Sequence, residues 1–124
     1  MEQATGRLIS VIDDDRATRL AVKGLLRSAG LAAEVYASAE EFLNSGRVSA
    51  TACLVLDVRL PNMSGLELQR RLAAAGISVP VIFITSHDDE QARGVALEAG
   101  AVAFLSKPAR GRVLLERVRS VVNR

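Results

Sequence analysis

Acidic, hydroxyl and basic side chains follow four apolar runs of this chain, each at the point where the run ends. Three consecutive Asp residues, 13–15, come after "RLISVI", and Asp57 comes after "TACLVL". Thr85 ends "PVIFIT", and Lys107 follows "AVAFLS". Each has an ordinary interpretation alone: Asp15 as a helix N-cap, Thr85 as the cap of a later helix, and Lys107 as a surface lysine. Together they indicate a shared site, provided that folding brings the four ends to one edge.

Carboxylates, a hydroxyl and one ammonium are together typical of phosphoryl chemistry. Three carboxylates brought close together resist ionising at once, and a hard divalent cation relieves that repulsion. Mg²⁺ typically takes one or two carboxylates, waters and a phosphate oxygen. An Asp carboxylate can attack phosphorus and form an acyl phosphate, while a metal ion and a lysine neutralise the charge of the transferred group. The residue types therefore predict Mg²⁺-dependent phosphoryl transfer to an aspartate.

The elements that would position these residues alternate along the whole chain. Short apolar runs bounded by polar or turn residues predict strands over 7–12, 32–37, 51–56, 80–85 and 101–106. Apolar residues at helical spacing, with Gly after several of the segments, predict helices over 15–29, 38–46, 64–75, 88–99 and 110–122. Ser38 and Glu41 have the spacing of a capping box. Strict alternation predicts an α/β fold with a parallel sheet between helices, in which sites form at the carboxyl ends of the strands.

Length and composition limit the class of protein. The chain has 124 residues, of which 49% are apolar and 24% charged, as expected for one domain with a buried core. No apolar run is as long as a membrane span, and "MEQATGR" lacks a signal-peptide pattern, so we expect a cytoplasmic protein without membrane contact.

Cys53 lies inside an apolar run and is interpreted as a buried free thiol. The Arg-rich segment 110–124 lacks interleaved aromatic residues, which favours a solvated helix face over a nucleic-acid contact.

Four sequence blocks resemble those of the response-regulator receiver (CheY-like) family. They are "VIDDD", "LVLDVRLPNMSGLEL", "VIFITS" and "AFLSKP", and together they extend the resemblance over essentially the whole chain. The stretch "DVRLPNMSG" is most similar to the FixJ-like subgroup. The resemblance implies a doubly wound (βα)5, flavodoxin-like sheet with strand order 2-1-3-4-5. It further implies a single receiver domain over residues 1–124, which accepts a phosphoryl group from a sensor histidine kinase and acts as a switch rather than an enzyme.

The resemblance assigns roles in phosphoryl and metal binding. Asp57 would accept the phosphoryl group and contribute to the Mg²⁺ site. Asp14 would ligate Mg²⁺ directly, Asp13 would act through a metal-bound water, and the backbone carbonyl of Arg59 would be a further ligand.

The resemblance also implies how phosphorylation would be transmitted. Thr85 would hydrogen-bond a phosphoryl oxygen, and Lys107 would pair with the phosphoryl group. Phe104, three residues before Lys107, occupies the aromatic switch position and would move together with Thr85. The output surface would comprise the fourth helix, the fifth strand and the fifth helix, and its fourth-helix and fifth-strand part would form a homodimer on phosphorylation.

Two bulky polar side chains are expected at the entrance of the site. Arg59 follows Asp57 by two residues, and His87 follows Thr85 by two. Both would rim the path of the hydrolytic water and so set the lifetime of the phosphoryl group, whereas Arg19 on the first helix would be remote from it. Gly65 would supply backbone freedom to the loop after Asp57.

Other classes of function stay open at this point. A Mg²⁺-dependent phosphohydrolase with an Asp nucleophile is one, although dehalogenase-type phosphatases place a second Asp where this chain has Arg59. A non-phosphorylated interaction module or small-ligand binder of flavodoxin-like shape is another, against which the intact acidic, Thr and Lys set argues. FixJ-like proteins usually continue into a helix-turn-helix domain. We therefore expect either transcriptional output through a DNA-binding domain absent from this chain, or a stand-alone receiver that acts by protein–protein interaction.

Overall fold

A computed structural model of the chain describes residues 8–86, 89–107 and 111–123. Its elements, in chain order, are β1 (Leu8–Ile12), α1 (Arg16–Ser28), β2 (Ala33–Tyr36), α2 (Ala39–Leu43), β3 (Thr51–Asp57), α3 (Gly65–Ala74), β4 (Val81–Thr85), α4 (Glu90–Glu98), β5 (Ala103–Ser106) and α5 (Gly111–Val122). All neighbouring strands are parallel, and their order is β2-β1-β3-β4-β5. The predicted doubly wound sheet with strand order 2-1-3-4-5 is confirmed.

Two apolar layers cover the sheet because successive strand side chains point to opposite faces. On one face, Leu54 and Leu56 of β3 pack with residues of α2, α3 and α4. On the other face, Cys53 and Val55 pack with residues of α1 and α5. Burial raises the pKa of the Cys53 thiol to about 12. The expected buried free thiol is confirmed, and a thiol that stays protonated at neutral pH makes a poor nucleophile.

The residues that cap the helix starts are those predicted from the sequence, with two differences. Ser38 accepts the backbone N–H of Glu41 at 3.0 Å, as the capping-box spacing predicts. The Glu41 carboxylate accepts the N–H of Ala37 at 3.0 Å, one residue before the predicted donor. Asp89 is the N-cap of α4 and its side chain accepts a backbone N–H at 3.0 Å, whereas Thr85 is the last residue of β4. The interpretation of Thr85 as a helix cap is therefore wrong.

Several elements are shorter than predicted because the turns after the helices take up more of the chain. Gly100, which follows α4, has a left-handed backbone with φ of 101°. The N–H of Ala101 then bonds back to the carbonyl of Ala96 at 3.0 Å, so β5 begins at Ala103 rather than at 101. The predicted first residues of the fourth and fifth helices, 88 and 110, lie outside the described residues.

Candidate acidic site

The carboxyl ends of β1, β3, β4 and β5 meet at one edge of the sheet. Asp13 follows β1, Asp57 and Thr85 end β3 and β4, and Lys107 follows β5. The N–H of Lys107 donates to the carbonyl of Thr85 at 2.6 Å, which fixes the turn after β5. Carboxylate oxygens of Asp13, Asp14 and Asp57 all lie within 4.8 Å of one another. The structure therefore brings the predicted acidic residues together beside the threonine and the lysine.

Lys107 is the cation of this cluster and contacts two of its carboxylates. Its Nζ lies 2.7 Å from Oδ2 of Asp13 and 3.0 Å from Oδ2 of Asp57. Burial alone would lower the pKa of Lys107, but the two carboxylates raise it above its ordinary value. Burial raises the pKa of Asp57, and the Lys107 ammonium and the Arg59 N–H offset part of that rise. The ammonium therefore stays charged at neutral pH beside a carboxylate that is poorly solvated.

Asp13 is fully buried and is held from three sides. Its Oδ1 accepts the N–H of Asp15 at 2.9 Å. Its Oδ2 forms the 2.7 Å ion pair with the Lys107 ammonium. Its backbone carbonyl accepts Nη1 of Arg19 at 2.8 Å. The expectation that Arg19 is remote from the site is wrong, because one turn of α1 brings its guanidinium back to the residue that follows β1.

Asp14 and Asp15 differ in what their side chains contact. Asp14 is exposed and belongs to the three-carboxylate cluster. Asp15 holds the N-cap position of α1, as predicted, but its carboxylate accepts the hydroxyl of Thr18 at 2.6 Å rather than a backbone N–H. The Thr18 hydroxyl lowers the pKa of Asp15. Asp15 is therefore oriented towards the helix and Asp14 towards the cluster.

The donor set of the cluster fits a hard divalent cation. All three candidate side chains offer carboxylate oxygens, which such cations prefer over nitrogen or sulfur. The three carboxylates bring more negative charge together than the single Lys107 ammonium can neutralise, and a divalent cation would offset the remainder. Asp14 is the exposed member of the cluster, so its carboxylate is the one that an ion from solvent would meet first.

The loop after Asp57 is shaped by a close approach of two backbone segments. The carboxylate of Asp57 accepts the N–H of Arg59 at 3.1 Å, and the N–H of Gly65 donates to the carbonyl of Val58 at 2.9 Å. A Cβ on Gly65 would overlap the carbonyl oxygen of Asp57. Gly65 is not left-handed; Asn62, with φ of 66°, is. The expected need for glycine is confirmed, but its reason is missing space rather than backbone freedom.

Arg59, one of the two predicted entrance residues, forms an ion pair with Asp89. The Arg59 side chain is 61% exposed, and its guanidinium lies 3.8 Å from a carboxylate oxygen of Asp89. This pair joins the loop after β3 to the start of α4, and no sequence pattern indicated it because the residues lie on different elements. His87, the other predicted entrance residue, lies outside the described residues.

Phe104 is buried in this structure, with 9% of its surface exposed. Its ring packs against Phe83 with 5.9 Å between ring centroids. Its backbone carbonyl accepts Nη1 of Arg93 at 3.3 Å, which joins α4 to β5. Thr85 ends the adjacent strand and is 1% exposed. The two residues of the predicted switch therefore lie on neighbouring strands, with the aromatic ring on the inside.

Glu40 contacts the loop after Asp57, although the sequence analysis gave it no role there. Its Oε2 accepts the N–H of Met63 at 3.3 Å, which ties α2 to the loop after Asp57. The two residues are 23 positions apart, and Glu40 is read equally well as an ordinary first-turn acidic residue of a helix. Only the packing of α2 against the loop brings them together.

The fold and its edge of carboxylates define a doubly wound α/β protein with a polar site at the carboxyl ends of its strands. Residues 9–119 match the family model of the response regulator receiver domain, and the chain belongs to that family. The match confirms the resemblance drawn from the four sequence blocks.

Curated relatives and solved structures agree with this assignment. The chain is 45% identical over 115 residues to the response regulator protein TodT of Pseudomonas putida, covering 93% of this chain and 51% of that protein. It is 40% identical over 116 residues to the transcriptional regulatory protein FixJ of Azorhizobium caulinodans, covering 94% of this chain and 55% of FixJ. The crystal structure of FixJ-N matches with a TM-score of 0.84 at 34% identity, covering 94% of each chain. The chain thus spans about half the length of the curated relatives it matches. Its described helices include none that is both long and apolar enough to cross a bilayer.

Proposed function

We propose that this receiver domain, spanning residues 1–124, is a phosphorylation-dependent switch in which Asp57 accepts a phosphoryl group from a phosphohistidine of a sensor histidine kinase. The observation that supports this most strongly is the position of Lys107, whose ammonium contacts both Asp13 and Asp57 within a cluster of three carboxylates. An ammonium fixed beside an aspartate at the end of a buried strand suits a site where a dianionic group is added to that aspartate.

In the proposed reaction, a carboxylate oxygen of Asp57 attacks phosphorus. The new P–O bond forms as the P–N bond to the kinase imidazole breaks. The imidazole carries a proton on its other ring nitrogen and leaves as a neutral ring with the bonding electron pair. The environment that raises the pKa of Asp57 leaves its carboxylate poorly solvated and so more nucleophilic. Lys107 stays protonated and pairs with the phosphoryl oxygens, to which the Thr85 hydroxyl donates a hydrogen bond.

The metal of this site is proposed to be Mg²⁺. Asp14 and Asp57 would ligate it directly, the backbone carbonyl of Arg59 would be a further ligand, and Asp13 would hold it through a water. A bound Mg²⁺ would neutralise charge on the carboxylates and on the phosphoryl oxygens. The fully buried position of Asp13 and the exposure of Asp14 support this division between the two residues.

The proposed output is carried by the α4-β5-α5 surface. Movement of Thr85 towards the phosphoryl group would change the space available to Phe104 on the next strand, and Arg93 would pass that change to α4 through its bond to the Phe104 carbonyl. FixJ and TodT are described as a transcriptional regulatory protein and a response regulator. We therefore propose transcriptional output through a DNA-binding domain outside this chain. The receiver itself would form a homodimer through α4-β5 and would not contact nucleic acid. We propose that it acts in the cytoplasm, away from membranes. The alternative output is a stand-alone receiver that acts by protein–protein contact.

Excess acetyl phosphate separates the proposed switch from an enzyme and from a binding module. With Mg²⁺, intact-mass spectrometry should show one phosphoryl group per chain, and addition of EDTA beforehand should prevent it. Steady hydrolysis of a separate substrate such as p-nitrophenyl phosphate would instead indicate a phosphohydrolase. A chain that neither gains the phosphoryl group nor hydrolyses the substrate would be a binding module, and the proposal would fail.

A further inference from the structure

The segment between β1 and α1 carries two of the three carboxylates of the cluster, those of Asp13 and Asp14. The N–H of Asp13 donates to the carbonyl of Tyr36 at 3.1 Å, and the Asp13 carboxylate accepts the N–H of Asp15 at 2.9 Å. Asp14 lies between these two anchored residues and is itself exposed. The direction of its side chain therefore depends on the backbone that carries it.

Arg19 holds that backbone from the side of α1. Its Nη1 donates to the carbonyl oxygen of Asp13 at 2.8 Å, and its side chain is only partly exposed. A guanidinium stays protonated in proteins, and charge-assisted hydrogen bonds are roughly twice as strong as neutral ones. The carbonyl of Asp13 and the N–H of Asp14 belong to one planar peptide unit. A bond that fixes the carbonyl therefore also restricts that unit, and with it the Cα of Asp14.

The charge of Arg19 and its hydrogen bond should act on a bound cation in opposite directions. A guanidinium near the cluster repels Mg²⁺, so loss of the charge alone would strengthen Mg²⁺ binding. The hydrogen bond favours binding, because a ligand that is already held in place loses less conformational freedom when it meets the metal. Arg16, at the exposed first position of α1, carries the same charge and serves to measure the charge effect by itself.

We propose that Arg19 is a positioning residue of the Mg²⁺ site. Through its bond to the Asp13 carbonyl, it keeps the Asp13–Asp14 peptide in the orientation that places the Asp14 carboxylate within 4.8 Å of carboxylate oxygens of Asp13 and Asp57. Arg19 itself would contact neither the metal nor the phosphoryl group. This role rests on the proposed function, because it requires that the cluster binds Mg²⁺.

Three variants separate the hydrogen bond from the charge. Arg19→Met keeps a long apolar stem but removes both the donor and the charge, whereas Arg19→Lys keeps the charge and a donor. Arg16→Met removes the same charge from an exposed position of the same helix. Mg²⁺ is titrated into the parent and into each unphosphorylated variant, and amide chemical shifts give the dissociation constant.

The sign of the change in Mg²⁺ affinity tests the positioning role. Arg19→Met should bind Mg²⁺ about tenfold more weakly than the parent, a loss typical of groups that orient a metal ligand. Arg19→Lys should recover most of that loss, and Arg16→Met should bind Mg²⁺ at least as tightly as the parent. If Arg19→Met binds Mg²⁺ as tightly as Arg16→Met, the proposal is overturned, even where urea unfolding shows that Arg19→Met is less stable.

Hydrogen exchange of the Asp15 amide, measured without metal, is a second readout. The carboxylate of Asp13 accepts that N–H, so a loosened segment should let it exchange several-fold faster in Arg19→Met and at the parent's rate in Arg16→Met. A parent that binds no Mg²⁺ would refute the proposed metal site. The Asp15 amide would then still decide whether Arg19 holds the segment, and an unchanged exchange rate in Arg19→Met would show that it does not.

Discussion

Asp14 and Asp15 are adjacent, yet the structure separates their roles. Asp14 lies in the carboxylate cluster, while the carboxylate of Asp15 is taken up by Thr18. Asp14→Ala should therefore weaken Mg²⁺ binding at least about tenfold, because loss of even a group that only orients a metal ligand costs about 10–100-fold in affinity. Asp15→Ala should leave the Mg²⁺ dissociation constant nearly unchanged. Titration calorimetry of the two variants measures both values, and an equal loss in both would show that the cluster is displaced by one residue.

Arg59 is expected to lengthen the life of the phosphoryl group. Its guanidinium is exposed, and we predict that it covers phosphate oxygens once it leaves Asp89. His87 is predicted to block the same path. Arg59→Ala and His87→Ala should each lose the phosphoryl group several-fold faster in Mg²⁺ buffer, and the double variant faster still.

The control for this decay experiment must avoid Arg19, whose guanidinium bonds the backbone of Asp13. Arg70→Ala, at an exposed position of α3, is the better choice and should decay at the parent's rate. If the Arg59 and His87 variants also decay at the parent's rate, neither residue protects the phosphoryl group.

At the scale of elements, the junction between β3 and α3 depends on a missing side chain. A Cβ at Gly65 would overlap the Asp57 carbonyl, so Gly65→Ala must push the loop away from the strand. We expect Gly65→Ala to lower the free energy of unfolding by about 1–3 kcal/mol and to slow phosphorylation of Asp57. Gly24 lies on α1, where an added Cβ would meet open space. Gly24→Ala should instead raise the free energy of unfolding by about 0.5–1 kcal/mol.

Urea unfolding of both glycine variants measures this difference. Equal stability of Gly65→Ala and the parent would mean that the loop is not held against Asp57 as the structure shows.

The strands and helices could be predicted because their information is local. The apolar run that ends at Leu56 is too short for a typical buried helix and is typical of a buried strand, and Ser38 with Glu41 has the spacing of a helix start. The meeting of Asp13, Asp57 and Lys107 could also be predicted, because parallel strands end at one edge. The Arg59–Asp89 pair could not, since it depends on the position of α4 relative to the loop after β3. The same holds for the Glu40 contact, which arises only from the packing of α2 against the loop after β3.

At the scale of the whole molecule, the proposed switch changes the surface that α4 and β5 present. Val95 and Leu97 leave two large apolar side chains exposed on α4, each about 40% accessible. Beryllofluoride with Mg²⁺, which mimics the acyl phosphate, should therefore increase the dimer fraction in sedimentation velocity. Val95→Asp should remove that increase, because a charge would be buried at the interface.

Leu20→Asp, at a position of α1 that is 54% exposed, is the matched control for the dimer experiment and should dimerise as the parent does. If the beryllofluoride-bound parent stays monomeric at high concentration, the proposed dimer is wrong. That result would not affect the proposed phosphorylation of Asp57.

The central claim is that Asp57 alone accepts the phosphoryl group, with Lys107 held against it. Its most direct test is the intact mass of the parent and of Asp57→Asn after incubation with acetyl phosphate and Mg²⁺. Asparagine keeps the size of the side chain but lacks the anionic oxygen that attacks phosphorus. We predict a single phosphoryl adduct on the parent and none on Asp57→Asn. A phosphoryl adduct that persists on Asp57→Asn would contradict the account.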